Sequence, residues 1–218
     1  MAVRVAALYD VHANTPALRA VLDEIDGDVD LYLFGGDLLY GGWPRETLDL
    51  ALSLGQRARF IRGNWERYLL EGRDEWTARY VPADAVRDWP ATLTIDGVLY
   101  CHATPLSDDG IVLPQWEGSD WSAFTQPVVV CGHVHVQYDV TRGAARIVNP
   151  GSVGLPTVRA TAWWAIVTDG RDIELRTTDY DSAGTARAMR DTGFPEPELA
   201  DHVRDPVPVE RIVELVSS

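Results

Sequence analysis

Short polar motifs follow the apolar, strand-like runs of this chain, and they constrain its fold more than any other feature. Each run ends where side chains able to bind a metal begin. The motifs, in chain order, are Asp10-Val11-His12 after VRVAALY, Gly36-Asp37 after VDLYLFG, Gly63-Asn64 after ARFIR, His102 after VLYC, and Gly132-His133-Val134-His135 after PVVVC. Because α/β folds gather their chemistry at strand ends, we expect these motifs to lie together.

The first third of the chain alternates strand and helix patterns. Thr15-Pro16 predicts a helix start, with Thr15 as the cap and Pro16 at the first helical position. The predicted elements are a strand at 3–9, a helix from Thr15, a strand at 29–35, a helix from Pro44 through Leu54 and a strand at 58–62.

The rest of the chain is richer in strands. Asp96-Gly97 joins two short apolar runs and predicts a two-residue hairpin turn. Further strands are expected at 127–131 and in pairs around Arg142-Gly143 and Asp169-Gly170. This order predicts an α/β fold, a four-layer α/β/β/α sandwich of two mixed β-sheets flanked by helices. We expect a core domain at 1–180 and a helical C-terminal extension at 181–218 packed on the same domain.

Composition excludes several classes of partner. The formal charge of −14 over 218 residues, with a pI near 4.6, argues against binding duplex nucleic acid or anionic membranes. The sequence shows neither an apolar run of about 20 residues nor a signal peptide, so a cytoplasmic protein is expected. Cys101 and Cys131 end apolar runs and are expected to be buried, free thiols.

The polar motifs together offer ligands for two divalent metals. They supply two carboxylates, one amide and four imidazoles, and four of the five histidines in the chain belong to them. Imidazole favours Mn, Fe, Co, Ni or Zn over Mg. Each motif alone has a simpler explanation, because Gly-Asp and Gly-Asn are common turn sequences. The complete series indicates a metal-dependent hydrolase whose positive centre would suit a small phosphorylated substrate.

The ordered series DVH, GGD, GN, CH, GHVH and Asn149-Pro150-Gly151-Ser152 resembles the calcineurin-like metallophosphoesterase superfamily, in particular its small bacterial and archaeal phosphodiesterase and phosphatase branch. The resemblance implies attack on phosphorus by a hydroxide that bridges two metals. It also implies the ligand roles: Asp10, His12 and His135 on the first metal, Asn64, His102 and His133 on the second, and Asp37 bridging both. Asp37 and Asn64 would thus be catalytic. The Asn149–Ser152 turn would either contact the substrate or serve only as a turn.

One position departs from the family pattern. The family usually has histidine after Gly-Asn, and that histidine is thought to protonate the leaving group, whereas here Trp65 follows Asn64. Indole cannot transfer a proton near neutral pH. The remaining histidine, His202, is expected on an exposed helix face. We therefore expect a preference for good leaving groups, such as aryl phosphodiesters, nucleotides or dinucleoside polyphosphates.

Two further questions stay open at the level of sequence. Tyr40, Arg62 and Trp65 are candidate substrate contacts, although Trp65 would equally pack against neighbouring helices and Arg62 would equally lie in a surface ion pair. A low-activity regulatory or scaffold protein, with Trp65 closing the site, is the alternative function. A metallo-β-lactamase fold would need Asp-His after the second motif histidine, where Val136-Gln137 stands.

The apolar residues of the tail suggest two roles. They would form either a homodimer face or a cover for the protein's own core; they are Val207, Val209, Ile212, Val213 and Val216.

Overall fold

Two mixed five-stranded sheets organise the fold. The computed structural model describes residues 3–25 and 27–212. The strands within these ranges are β1 (Arg4–Leu8), β2 (Leu31–Phe34), β3 (Ala58–Phe60), β4 (Thr92–Ile95), β5 (Val98–Cys101), β6 (Val128–Val130), β7 (Tyr138–Arg142), β8 (Ala145–Asn149), β9 (Ala162–Thr168) and β10 (Asp172–Thr178).

The parallel strands of each sheet determine where the polar motifs meet. The first sheet has the order β10-β9-β1-β2-β3, in which β1, β2 and β3 are parallel. The second has the order β4-β5-β6-β8-β7, in which β5, β6 and β8 are parallel. Since parallel neighbours end at the same edge, the motifs after β1, β2 and β3 share one edge, and those after β5 and β6 share another.

Helices cover the first sheet and the end of the sandwich. The helices of the described ranges are α1 (Thr15–Ile25), α2 (Pro44–Leu52), α3 (Asn64–Leu70), α4 (Glu75–Ala78), α5 (Ser182–Asp191) and α6 (Pro197–Arg204). The apolar face of α1, with Leu18 and Val21, packs on Leu8 and Trp164 of the first sheet. The outer face of the second sheet is covered mainly by the long segment between β5 and β6, which contributes Leu113.

The inner faces of the sheets form a dry core between them. Ala7 and Leu33 of the first sheet lie in the same buried cluster as Tyr100, Val130 and Val148 of the second. These side chains are almost fully excluded from solvent, which holds the two sheets face to face. The predicted sandwich of two mixed sheets flanked by helices is therefore confirmed.

Two predicted helix boundaries were wrong. Asn14, not Thr15, caps α1, since its Oδ1 accepts a hydrogen bond from the Ala17 N–H at 3.1 Å, whereas the Thr15 hydroxyl bonds to Thr47. Helix α2 ends at Leu52 rather than Leu54. Its last turn tightens, because the Leu54 N–H bonds to the Ala51 carbonyl, three residues back.

The C-terminal helices pack beside the loop that follows β2. Met189 of α5 is 1% exposed and lies against Gly42, where a side chain would leave it no room. Ile212 is buried in the core of the second sheet, with Val207 beside it, which agrees with the tail covering the protein's own core. Val213 and Val216, from the same prediction, lie outside the described residues. That residues 181–218 are an extension of the same domain stays a prediction.

Within the described ranges, no helix combines the length and apolarity that crossing a membrane would require.

Candidate metal centre

The structure brings all seven predicted metal ligands to adjoining sheet edges. Asp10 follows β1, Asp37 follows β2 and Asn64 begins α3 just after β3, so the first sheet supplies the two carboxylates and the amide. His12 lies two residues beyond Asp10. The second sheet supplies the other imidazoles: His102, His133 and His135, from the ends of β5 and β6.

One group of ligand atoms comprises Asp10, His12 and His135, whose nearest atoms all lie within 4.8 Å of one another. The Nε2 atoms of His12 and His135 are 3.1 Å apart, and His135 Nε2 is 3.5 Å from Asp10 Oδ1. Two imidazole nitrogens and a carboxylate oxygen converging on one point form a suitable ligand set for a transition metal.

The second group comprises Asp37, His102 and His133, again within 4.8 Å. His102 Nε2 lies 3.3 Å from Asp37 Oδ2 and 3.1 Å from Asn64 Oδ1. Asp37 Oδ2 is also 3.9 Å from His12 Nε2, in the first group. Asp37 therefore stands between the two groups, where a bridging ligand would be required.

Two buried polar atoms of the site point to bound cations. Asp10 Oδ1 and His133 Nε2 are excluded from solvent and have no hydrogen-bond partner among the residues described. An unpaired buried polar atom is costly, and a metal ion would satisfy both atoms. The donor set and these unpaired atoms fit the metals that the sequence predicts.

Without metal, two of the buried imidazoles have lowered pKa values and a third has a raised one. Burial, with the neighbouring His135, lowers the pKa of His12 to about 4, and burial, with His102, lowers the pKa of His133 to about 4. Burial alone would also lower the pKa of His102, but Asp37 and Asp10 outweigh it and raise that pKa to about 10. Burial alone would raise the pKa of Asp37, whereas facing His102 lowers it below its usual range. Neutral imidazoles and ionised carboxylates are the forms that bind metals.

Backbone carbonyls orient two of the imidazoles. His12 Nδ1 lies 3.2 Å from the Tyr40 carbonyl oxygen, and His102 Nδ1 lies 2.9 Å from that of Gly35. When Nδ1 carries the proton and donates it to a carbonyl, Nε2 is left as the free donor atom for a metal. In both residues it is Nε2 that faces the other ligands.

The backbone at the ligands adopts the left-handed conformation, which L-amino acids rarely adopt. Five of the seven ligands have positive φ: 52° at Asp10, 48° at His12, 51° at Asp37, 70° at His133 and 57° at His135. Each such residue costs about 1–2 kcal/mol relative to ordinary backbone geometry. Non-glycine residues in this conformation are typical of functional sites.

Glu66 supports the site and was not among the predicted residues. It is 1% exposed, and its carboxylate accepts hydrogen bonds from the backbone N–H groups of Asp37 at 2.9 Å, Leu38 at 2.8 Å and Gly63 at 2.9 Å. Burial first, and then the charge of Asp37, raise the pKa of Glu66 to about 7. An acid three residues after the glycine of a Gly-Asn helix start is a capping signal that could have identified it.

The Asn149–Ser152 turn is buried beneath the ligands. Asn149 Nδ2 donates to the Gly132 carbonyl at 2.8 Å, and Ser152 Oγ donates to the Asp10 carbonyl at 2.7 Å. Both side chains are fully buried. They thus hold the Asp10 and Gly132 loops, one from each sheet, and are not exposed to a substrate.

A cavity of about 520 Å³ opens over the ligands. Its walls combine ligands, two aromatic rings, two leucines and two further carboxylates: His12, Asp37, Asn64, Trp65, Tyr68, Asp109, His133, His135, Leu155, Glu196 and Leu199. A larger groove of about 620 Å³ lies between α1 and α2 and contains none of the ligands.

The candidate substrate contacts differ in position. Trp65 lines the cavity, and its ring stacks on Tyr40 with the ring centres 3.3 Å apart. Tyr40 is 5% exposed and lies behind Trp65, its hydroxyl donating to Glu196. Arg62 does not line the cavity.

The expectation that His202 lies on an exposed helix face was wrong. His202 is half-buried on α6 and lines a small cavity of about 110 Å³ together with His135. This small cavity adjoins the main cavity, since His135, Leu155 and Leu199 line both. The sequence of the tail, which is interrupted by prolines, did not indicate that His202 lies near His135. The two cysteines are buried and free, as predicted.

Comparison with known proteins identifies the family. The family model of the calcineurin-like phosphoesterase superfamily domain matches residues 3–170. The chain is 25% identical to a metallophosphoesterase from Sphaerobacter thermophilus, with a TM-score of 0.77 over 95% of this chain and 100% of that one. A hypothetical protein from Pyrococcus horikoshii has the same fold, with 20% identity and a TM-score of 0.76 over 92% and 97% of the two chains.

A phosphoesterase from E. coli also shares the fold, with 17% identity and a TM-score of 0.52 over 81% of this chain and 100% of that one. No curated protein matches the chain. The family match and the clustered ligands together exclude the metallo-β-lactamase interpretation. The chain is a metal-dependent phosphoesterase that belongs to the calcineurin-like phosphoesterase superfamily.

Proposed function

We propose that the protein is a binuclear phosphoesterase that hydrolyses small phosphodiesters or phosphoanhydrides with good leaving groups. The convergence of seven donor side chains from two sheets on two adjoining points carries this proposal. Asp10, His12 and His135 would hold one ion, Asn64, His102 and His133 the other, and Asp37 both. The ions would be Mn, Fe, Co, Ni or Zn.

The ligand set is suited to an anionic substrate. Two divalent ions carry four positive charges against the two negative charges of Asp10 and Asp37, which leaves the centre positive. Such a pair lowers the pKa of a shared water and stabilises charge on the phosphoryl oxygens. The protein's own part is to fix the ligands, through the carbonyls behind His12 and His102 and through Glu66 beneath Asp37.

The cavity wall explains the expected leaving-group preference. Trp65 stands where a proton-donating histidine would be expected, and its ring is held against Tyr40. An indole cannot assist a basic leaving oxygen, so substrates with acidic leaving groups, such as nitrophenol or a nucleotide phosphate, would react best. Aryl or base stacking on Trp65 would add binding energy. Replacement Trp65→Ala would then raise KM for nucleotides more than for simple phosphates.

The alternative, a regulatory protein with Trp65 closing the site, is less well supported. The ring of Trp65 stacks face to face on Tyr40, and a cavity of about 520 Å³ remains in front of the ligands. That volume is within the range of small-molecule sites, about 300–1,000 Å³.

Hydrolysis of bis-nitrophenyl phosphate tests the proposal. We expect turnover with added Mn²⁺, its loss with EDTA, and its recovery when Mn²⁺ is restored. Asp37→Asn should lose at least about a hundredfold in kcat, because the charged ligand shared by both ions is removed. Asp23→Asn, which alters an exposed residue of α1, should retain full activity. Equal activity of the two variants, or turnover unaffected by EDTA, would refute the binuclear site.

A further inference from the structure

The cavity wall carries negative charge beyond the ligands. Asp109 and Glu196 are its two carboxylates outside the proposed metal ligands. The chain contains no lysine, all 19 of its arginines belong to the described ranges, and none of them lines the cavity. Apart from bound metals and protonated imidazoles, a substrate would meet only negative charge at the wall.

The charge of Asp109 is incompletely neutralised. Its partner is Arg67, at 3.1 Å, but the same guanidinium forms a two-bond pair with Asp108 at 2.8 and 3.0 Å and lies 3.6 Å from Glu71. Arg73 also pairs with Glu71, at 3.1 Å, so two positive charges face three carboxylates. The cluster stays negative on the side where Asp109 reaches the cavity.

The charge of Glu196 is paired only with a neutral donor. The carboxylate accepts a hydrogen bond from the Tyr40 hydroxyl, and it forms no ion pair with any described residue. A phenol has an ordinary pKa of about 10 and is therefore uncharged near neutral pH. Tyr40 therefore fixes the position of Glu196 without reducing its charge.

We propose that Asp109 and Glu196 are specificity-determining residues that select monoanionic phosphodiesters over dianionic phosphomonoesters. This inference rests on the proposed function and narrows its substrate class from diesters and anhydrides to diesters. A monoester carries a second negative charge near neutral pH, because its second pKa is about 6. The metals attract both kinds of substrate, whereas the two carboxylates repel the second charge of the monoester in addition to the first.

Charge-neutral variants test the proposal in the Mn²⁺-loaded protein. Glu196→Gln keeps an oxygen that accepts from Tyr40, and Asp109→Asn keeps the size of the side chain. For each, we expect the ratio of kcat/KM for bis-nitrophenyl phosphate to that for nitrophenyl phosphate to fall about three- to tenfold. Added salt should reduce the difference from the wild type, since it screens exposed charges. Glu198→Gln, an exposed residue of α6 outside the cavity, should leave the ratio unchanged.

A binding measurement gives a readout independent of turnover. Calorimetry would compare phenylphosphonate, as its dianion at alkaline pH, with its monoanionic methyl ester. Both cavity variants should gain affinity for the dianion relative to the ester. An unchanged ratio in both assays, or a proportional loss on both substrates, would overturn the proposal. If the wild type hydrolyses neither ester, the proposed function fails, and the calorimetric comparison still decides the role of the two carboxylates.

Discussion

At the scale of single residues, Trp65 is the side chain that most sets this site apart from the family pattern. Its backbone N–H donates to Asp37 Oδ1 at 2.9 Å, so its position is tied to the proposed bridging ligand. Its ring occupies the wall of the cavity and packs on Tyr40. A proton donor introduced here would face the substrate.

Trp65→His should therefore restore assistance to basic leaving groups. We expect kcat/KM for alkyl phosphate esters to rise about ten- to a hundredfold relative to nitrophenyl esters, at or below the lower end of the range for general acid catalysis. The comparison is a series of esters of graded leaving-group pKa. Trp65→Phe, which keeps an aromatic ring beside Tyr40 but cannot transfer a proton, should keep the wild-type dependence. The same slope for all three proteins would contradict the assignment.

The buried imidazole of His133 predicts the pH dependence of stability in the metal-free protein. Its folded pKa of about 4 lies below the ordinary 6.5. Below pH 6.5 the unfolded chain therefore binds a proton that the folded chain does not, and the free energy of unfolding falls until the pH reaches about 4. The shift corresponds to about 3 kcal/mol.

Urea denaturation in EDTA, over a series of pH values, measures this contribution. Comparison with His133→Gln isolates it, because Glu66 and the other titrating groups are present in both proteins. Between pH 6.5 and 4, the free energy of unfolding of the wild type should fall by about 3 kcal/mol more than that of the variant, since only the wild type has His133 to protonate. Parallel curves would show that His133 titrates normally.

At the scale of elements, one of the C-terminal helices, α6, forms part of the wall of the cavity over the candidate ligands. Helix α5 packs through Met189 on the loop after Asp37, and the start of α6 places Glu196 and Leu199 in the cavity. Phe194, between the helices, contacts Tyr40 edge to face. The loop that follows Asp37 is thus packed against the tail.

Met189→Ala should destabilise the protein by about 2–5 kcal/mol, the usual cost of truncating a buried long side chain. Urea denaturation would measure the loss. Leu106→Ala removes an apolar side chain that is 85% exposed, so its effect should stay within about 0.5 kcal/mol. Similar values for the two variants would mean that α5 contributes little to the packing beside Gly42.

The sequence predicted the positions of the strands and helices better than the backbone conformation of the residues that carry the candidate ligands. Apolar runs and the Asp-Gly turn fixed the strands and the first hairpin, whose Asp96 and Gly97 both have positive φ as such a turn requires. The motif order also predicted which side chains would meet. No local pattern indicated the left-handed φ of His133. The capping signal at Glu66 marks a helix start, but it does not reveal the bonds from Glu66 to Asp37 and Leu38, which lie on a distant segment. The same holds for Glu196, which is 156 residues from its partner Tyr40.

At the scale of the whole molecule, the candidate metal centre draws its side chains from both sheets. Loops of the first sheet supply Asp10, His12, Asp37 and Asn64, and loops of the second supply His102, His133 and His135. Each candidate metal group contains donors from both sheets. Bound ions would therefore add links across the sandwich beyond those of the apolar core.

Metal removal should lower the stability of the whole domain in a single transition. At a free metal concentration about 100 times Kd, the gain in unfolding free energy is about 2.7 kcal/mol for one site. Thermal denaturation with Mn²⁺ and with EDTA would show it as a concentration-dependent Tm. His135→Ala should lose much of the gain, whereas Asp23→Asn should keep all of it. A Tm independent of Mn²⁺ would contradict metal binding at this centre.

At five candidate ligands with positive φ, the residue that would best stabilise the backbone is not one that could bind a metal. Glycine would relax the main chain at Asp10, His12, Asp37, His133 and His135, yet it would bring no donor atom. In the metal-free protein, glycine at these positions would therefore favour the fold, while weakening the binding of metal. The five residues thus exchange backbone stability for donor atoms, and bound ions would offset that loss.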